Sequence, residues 1–115
     1  MRIGIDHEGS LARVALAGTF DFSGRQKIKR VRDELIADER VKTIEFDLSA
    51  VTRIDSAALG MLLLVRDAAA VAQKRVSLRC QPGTVRDIID VARLEARFEE
   101  PSAPDGQSQA KPPPA

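Results

Sequence analysis

The pair Asp55-Ser56 stands directly in front of the apolar run 57–65, so a carboxylate, a hydroxyl and a hydrophobic segment meet within a few residues. A serine hydroxyl becomes a nucleophile only beside a base, normally a histidine oriented by a carboxylate. The chain has a single histidine, His7, between Asp6 and Glu8 near the start, and its expected role is that of a surface histidine in a turn. Ser56 comes after a predicted strand, as a nucleophile-elbow serine does, yet Ile54-Asp-Ser-Ala-Ala58 has neither glycine of Gly-x-Ser-x-Gly. No Gly-x-x-x-x-Gly-Lys-Ser/Thr loop is present to cradle a phosphate, and His, Cys and carboxylates never cluster at metal-ligand spacing. Cys80 is alone, so it forms no internal disulfide, and a buried, inert thiol is expected on its apolar strand face. The residue set argues against an enzyme and calls for neither cofactor nor metal.

Two roles remain for Asp55 and Ser56. Both are preferred helix caps, because their side-chain oxygens accept from the free amides of a first turn. The helix behind them carries Ala57, Ala58, Leu59, Met61, Leu62, Leu63, Leu64 and Val65, which leaves hardly any polar face in its first two turns. On a sheet with one covered face, such a helix exposes apolar surface beside Ser56. A phosphorylatable hydroxyl next to exposed apolar surface is what a switchable docking site requires.

The elements that must position this segment are legible from periodicity. Residues 2–5, 11–17, 43–48 and 76–80 alternate with period two, as half-buried strands do. Each has one apolar and one more polar face, so helices are expected over only one side of the sheet. Between strands two and three, Ser23-Gly-Arg-Gln26 fits a capping box, with Ile28, Val31, Leu35 and Ile36 behind it as one apolar stripe. Residues 49–54 read as the connection into a second helix over about 56–73. A third helix is announced by Pro82-Gly83, with Thr84 as its cap and Val85, Ile88, Ile89 and Ala92 inward. Leu94 and Phe98 are expected to close the core. The order strand, strand, helix, strand, helix, strand, helix predicts an α/β sandwich: one mixed sheet of four to five strands with a helical layer.

A chain of 115 residues with 43% hydrophobic and 30% charged residues has room for one ordinary globular domain, here placed at residues 1–100. Its net charge of +1 lacks the concentrated basic face of a nucleic-acid binder, and the densest basic run, 25–32, contains no aromatic to stack on bases. The longest apolar stretch falls well short of the roughly 20 residues of a membrane span, and the start has no signal-peptide core. A lone cysteine fits a reducing compartment, and the expected location is cytoplasmic. Residues 101–115, PSAPDGQSQAKPPPA, have almost nothing to bury and are expected to form a disordered tail.

The combination resembles the STAS domain family, the anti-sigma factor antagonists of bacteria, over most of the chain. Asp55-Ser-Ala-Ala-Leu-Gly60 is similar to the family signature Asp-Ser-Ser/Thr-Gly-Leu-Gly, and Leu16-Ala-Gly-Thr-Phe-Asp21 resembles its Gly-x-hydrophobic-Asp segment. Residues 44–49 look like its central strand, and residues 82–98 like its last helix. The resemblance implies a STAS-like α/β sandwich, a phosphoacceptor at Ser56, and a partner-binding surface of Asp21, Asp55, Ser56, Ala57, Ala58, Leu59 and Gly60. It also implies a cycle of partners. The unphosphorylated protein binds an anti-sigma factor or a serine kinase of the histidine-kinase-like ATPase fold. Phosphorylation separates the two, and a metal-dependent serine phosphatase resets the site. Other STAS-like domains are unmodified subunits of transport or lipid-trafficking assemblies, which gives the alternative expectation. Ala57 and Ala58 depart from the signature. Alanine favours a helix over glycine by about 0.8–1 kcal/mol, so the helix start tolerates the change.

Overall fold

The computed structural model describes residues 1–94, 98 and 99. The expected tail, 101–115, lies outside the described residues. Four strands, β1 (Arg2–Glu8), β2 (Leu11–Phe20), β3 (Thr43–Ile54) and β4 (Arg75–Arg79), combine with three helices, α1 (Arg25–Ala37), α2 (Ser56–Val71) and α3 (Thr84–Val91). The strands form one mixed sheet in the order β1-β2-β3-β4, with β1 antiparallel to β2 and the other two pairings parallel. Gly9-Ser10 makes the tight turn of the β1–β2 hairpin, and Gly9 takes a φ of +59° that glycine adopts without strain.

Both parallel connections advance across the sheet in the same direction. Right-handed crossovers therefore place α1 and α2 on the same face. Ile28, Val31 and Leu35 of α1 and Ala58, Leu62, Val65 and Ala69 of α2 pack there against Val14, Leu16, Ile44, Phe46, Leu48, Val76 and Leu78. Phe20 and Phe46, both fully buried, are the largest side chains of this core. From α3, Val85 and Ile89 join it, as does Leu94, whereas Ala92 is exposed and not inward as expected.

The opposite face is polar, but its centre is closed to water. Glu45 is 0% exposed, and its Oε2 accepts from Arg13 Nε at 3.1 Å and from Arg79 Nε at 3.2 Å. Ser77 Oγ lies 3.5 Å from Oε1 of the same carboxylate, and every buried side-chain nitrogen or oxygen among the described residues has a partner. Arg13, Glu45 and Ser77 come from three adjacent strands at matched register, so the cluster stitches β2, β3 and β4 together.

Four local expectations are corrected. First, Ser23 and Gln26 do not form a capping box. Asp21 caps a short 3-10 turn over Phe22–Gly24, and α1 starts behind it with Gly24 at its N-cap. Second, residues 49–54 are not a connection, because β3 runs on to Ile54. Its alternation is broken by two register shifts against β2, and at the first the Asp47 carboxylate accepts from Ser49 N at 2.9 Å. Third, α2 stops at Val71, and Gln73 turns out of it with φ +61°. Fourth, α3 has Gly83 and not Thr84 at its N-cap.

Gly18 stands at the second register shift of β2 with φ +89°. A side chain there would be strained although the space is nearly open. Gly18→Ala is expected to cost about 1–2 kcal/mol in urea denaturation, with no change in the far-ultraviolet circular dichroism of the native state.

Candidate functional site: two capped strand ends

Parallel strands β2 and β3 end in step, with Phe20 paired to Ile54. The next residue on each is an aspartate. Asp21 and Asp55 therefore follow the paired ends of neighbouring strands. Both are in extended conformation, and each caps the helical turn behind it. Asp21 Oδ1 accepts from Ser23 N at 2.9 Å and from the Ser23 hydroxyl. Asp55 Oδ1 accepts from Ala58 N at 2.9 Å. The carboxyl ends of parallel strands are where α/β sheets commonly place their sites.

Hydrogen bonds from the Ser23 hydroxyl, then from its amide, hold the Asp21 carboxyl below the usual carboxylate range. It therefore carries its charge throughout the physiological pH range. Asp55 and Ser56 are both exposed, and Ser56 is the first residue of α2. The two residues divide the available roles: Asp55 is the cap, and Ser56 stands open to solvent. Asp55→Ala is expected to cost about 1 kcal/mol of stability by thermal melting, and Asp55→Asn to restore most of it.

The rest of the expected surface divides. Ala57, Leu59 and Gly60 are half-buried and reach the outside of α2, but Ala58 is fully buried and packs into the core. Ala58 thus cannot touch a partner with its side chain, which corrects its place among the contact residues. A Cβ built on Gly60 would meet nothing within 4 Å. Packing within the chain does not require glycine at this helical position, where it costs roughly 0.5–1 kcal/mol relative to alanine.

Sequence reasoning missed Phe22 and Arg25. Phe22 is 58% exposed on the turn beside α2, and the Arg25 guanidinium stacks 4.2 Å from its ring centroid. An aromatic immediately after a capping aspartate was the available signal. Leu64 and Val71 add exposed apolar surface on α2, at 63% and 87%.

The one histidine of the chain does not lie at Ser56. His7 lies within β1, not in a turn, and pairs with Ala12, so it is displaced from Phe20 by about 26 Å along β2. Cys80 lies just past β4 and is half-buried, not buried on the strand face as expected; its partial burial pushes the thiol pKa up, which favours the unreactive protonated form. Among the described residues no group of three or more His, Cys, Asp or Glu is placed to hold a metal ion, and no helix is long and apolar enough to cross a membrane.

These two capped strand ends sit on a mixed sheet backed by α1 and α2, with exposed Ser56 opening α2. The sequence profile of the Mlab STAS domain family matches residues 3–99, and the chain belongs to the STAS domain family. A STAS-domain containing protein of Pseudomonas aeruginosa is 33% identical over 93 residues, covering 80% of this chain and 89% of that protein. Among solved structures, an anti-sigma factor antagonist from Mycobacterium paratuberculosis aligns with a TM-score of 0.76 at 17% identity, over 91% of this chain and 88% of that one. The Bacillus cell fate determinant SpoIIAA in its phosphorylated form aligns with a TM-score of 0.68 at 17% identity, over 93% and 96%. The fold is that of the anti-sigma factor antagonists.

Proposed function

We propose that this protein is an anti-sigma factor antagonist that works by partner switching at Ser56. In the unphosphorylated state it binds an anti-sigma factor, or a serine kinase of the histidine-kinase-like ATPase fold, through the exposed surface around Asp21, Phe22, Asp55, Ser56 and Ala57. The kinase transfers the γ-phosphoryl group of ATP to the Ser56 Oγ: the new O–P bond forms as the bond to the β-phosphate breaks and ADP leaves, the hydroxyl proton passes to a base on the kinase, and the partner then dissociates. A metal-dependent serine phosphatase hydrolyses the ester and restores binding. The protein supplies the acceptor and the docking surface, and the partner supplies the catalysis.

The observation that carries this reading is the exposed Ser56 on the first turn of a helix capped by Asp55, with half-buried Ala57 and Leu59 next along α2 and exposed Leu64 two turns on. A phosphate there meets the positive end of the α2 macrodipole, so the fold tolerates it. Its added charge then acts on the interface, beside two aspartates.

The test compares wild type, Ser56→Ala and Ser56→Asp as baits in a lysate of the source bacterium. An ATPase-fold kinase or anti-sigma factor is expected with the first two and lost with the third. Equal recovery of transport or lipid-trafficking components by all three would establish the alternative, an unmodified STAS subunit, and end the switch reading.

A further inference from the structure

The outward side of α2 carries an apolar stripe that begins next to Ser56. Ala57, Met61, Leu64, Ala68 and Val71 recur at alternating steps of four and three, a period of 3.5 residues that keeps them on one line over about 21 Å. Single exposed apolar residues are ordinary, but a line at coiled-coil spacing is the pattern of a seam between helices. Leu64 and Val71, at 63% and 87%, are among the most exposed large hydrophobic side chains of the protein.

The stripe has a charged wall on one side. Arg25, Lys29 and Arg32 of α1, at i, i+4 and i+7, face Met61 and Leu64 across a groove of about 250 Å³ floored by Ile28 and Val65. Gln26 completes the lining, so no acid lines the groove. Arg32 is paired with Asp33 at 2.9 Å, and Arg25 is stacked on Phe22, which connects the groove to the turn beside Ser56. Lys29 is exposed.

We propose that this groove receives an amphipathic helix of the switching partner, with apolar residues along the α2 stripe and acidic residues along the flank that meets α1. The proposal rests on the partner-switching function and deepens it, because it describes the chemistry of the partner that the Ser56 site would release. A second copy of this chain is a poorer occupant. The only charged residues of α2 are Arg66 and Asp67, paired to each other at 2.8 Å, so it offers no acidic flank. An anionic membrane matches the basic wall, but a flat surface does not reach a floor set between two helices.

The probe is a designed helical peptide about three heptads long, with leucines at a and d and glutamates along one flank. A second peptide has lysines in place of those glutamates, and phosphatidylglycerol vesicles form a third arm. Binding to the full chain is read by fluorescence anisotropy and by amide shift changes in nitrogen–proton spectra. The glutamate peptide is expected to bind, shifting residues of α1 and α2 around the groove. Leu64→Glu and Val71→Glu are expected to weaken it by about tenfold or more. Lys29→Glu is expected to weaken the glutamate peptide and strengthen the lysine peptide, a reversal that unfolding cannot mimic. All three positions are exposed, and unchanged melting curves confirm that the variants fold.

Equal binding of the two peptides, shifts away from α1 and α2, binding of vesicles but not peptides, or a dimer of this chain that occupies the stripe would each overturn the proposal. Failure here is separable from failure of the switch. If Leu64→Glu still captures the partner that Ser56→Asp loses, the groove falls and the switch stands. If the peptides obey the charge pattern while Ser56→Asp captures as wild type does, the switch falls and the groove stands.

Discussion

Phosphorylation of Ser56 is expected to lower affinity for the cognate partner by about a hundredfold or more, while native backbone spectra stay nearly unchanged. The two halves of this expectation have different causes. Within the chain, a phosphate adds about −1.5 to −2 charge at a helix N-terminus, where anions are favoured by about 0.3–1 kcal/mol. Asp55 already satisfies the Ala58 amide through its own side chain, so the cap does not depend on Ser56 being unmodified. At the interface, the same charge arrives beside Asp55 and next to Asp21, whose depressed pKa keeps it ionised. A partner that covers this site must desolvate a dianion among carboxylates with no cation built to receive it, which costs several kcal/mol. Ser56→Asp brings one charge on a shorter arm, so its loss of affinity is expected to be smaller than that of the phosphate yet large enough to lose the partner in capture. Calorimetry with enzymatically phosphorylated protein and nitrogen–proton spectra of both forms check the pair of statements. Equal affinity would remove the interface argument, and collapsed amide dispersion would show that the phosphate acts by unfolding.

The second large effect is on stability, at Glu45. Glu45→Ala is expected to cost about 3 kcal/mol or more, read as a drop in urea midpoint without a change in slope. The carboxylate is fully buried and joins Arg13, whose side chain is 9% exposed, to Arg79 at 16%. Its removal leaves a void between two guanidiniums that lose their shared acceptor in a site poor in water. Glu45→Gln should cost less, because an amide oxygen still accepts from both. The contrast is Asp67→Ala, which breaks the exposed Arg66–Asp67 pair and is expected to change stability by less than about 0.5 kcal/mol. If Glu45→Ala proved as mild as Asp67→Ala, the cluster would be a bystander to folding.

The sheet, its helices and the capped Asp55-Ser56 step were legible because each rests on a local signal: alternation, an apolar stripe, or a capping residue before an apolar run. The misreadings fall where local signals compete. Ser23 to Gln26 satisfies the capping-box pattern, yet Asp21 two residues earlier is the better acceptor and takes the Ser23 amide first. The continuation of β3 was hidden because two extra residues shift its alternation, and because β4 reaches only Thr43–Asp47 of β3, leaving the rest of that strand to β2 alone. The burial of Glu45 was beyond local reading. Arg13, Glu45 and Arg79 each look like ordinary solvent-facing strand residues until the register aligns them. The Phe22–Arg25 stack likewise depends on a turn geometry that pattern does not encode.

The long β3 also sets rules for how this region can diverge among relatives. Ser49, Thr52 and Arg53 are exposed, so substitution there should be cheap. Length is another matter. Deleting one residue between Leu48 and Ile54 would draw Asp55 back by about 3.3 Å and turn its side chain to the opposite face of the sheet. The segment is then free in its letters and fixed in its count, so gaps, more than mismatches, should mark the homologues that have lost this site.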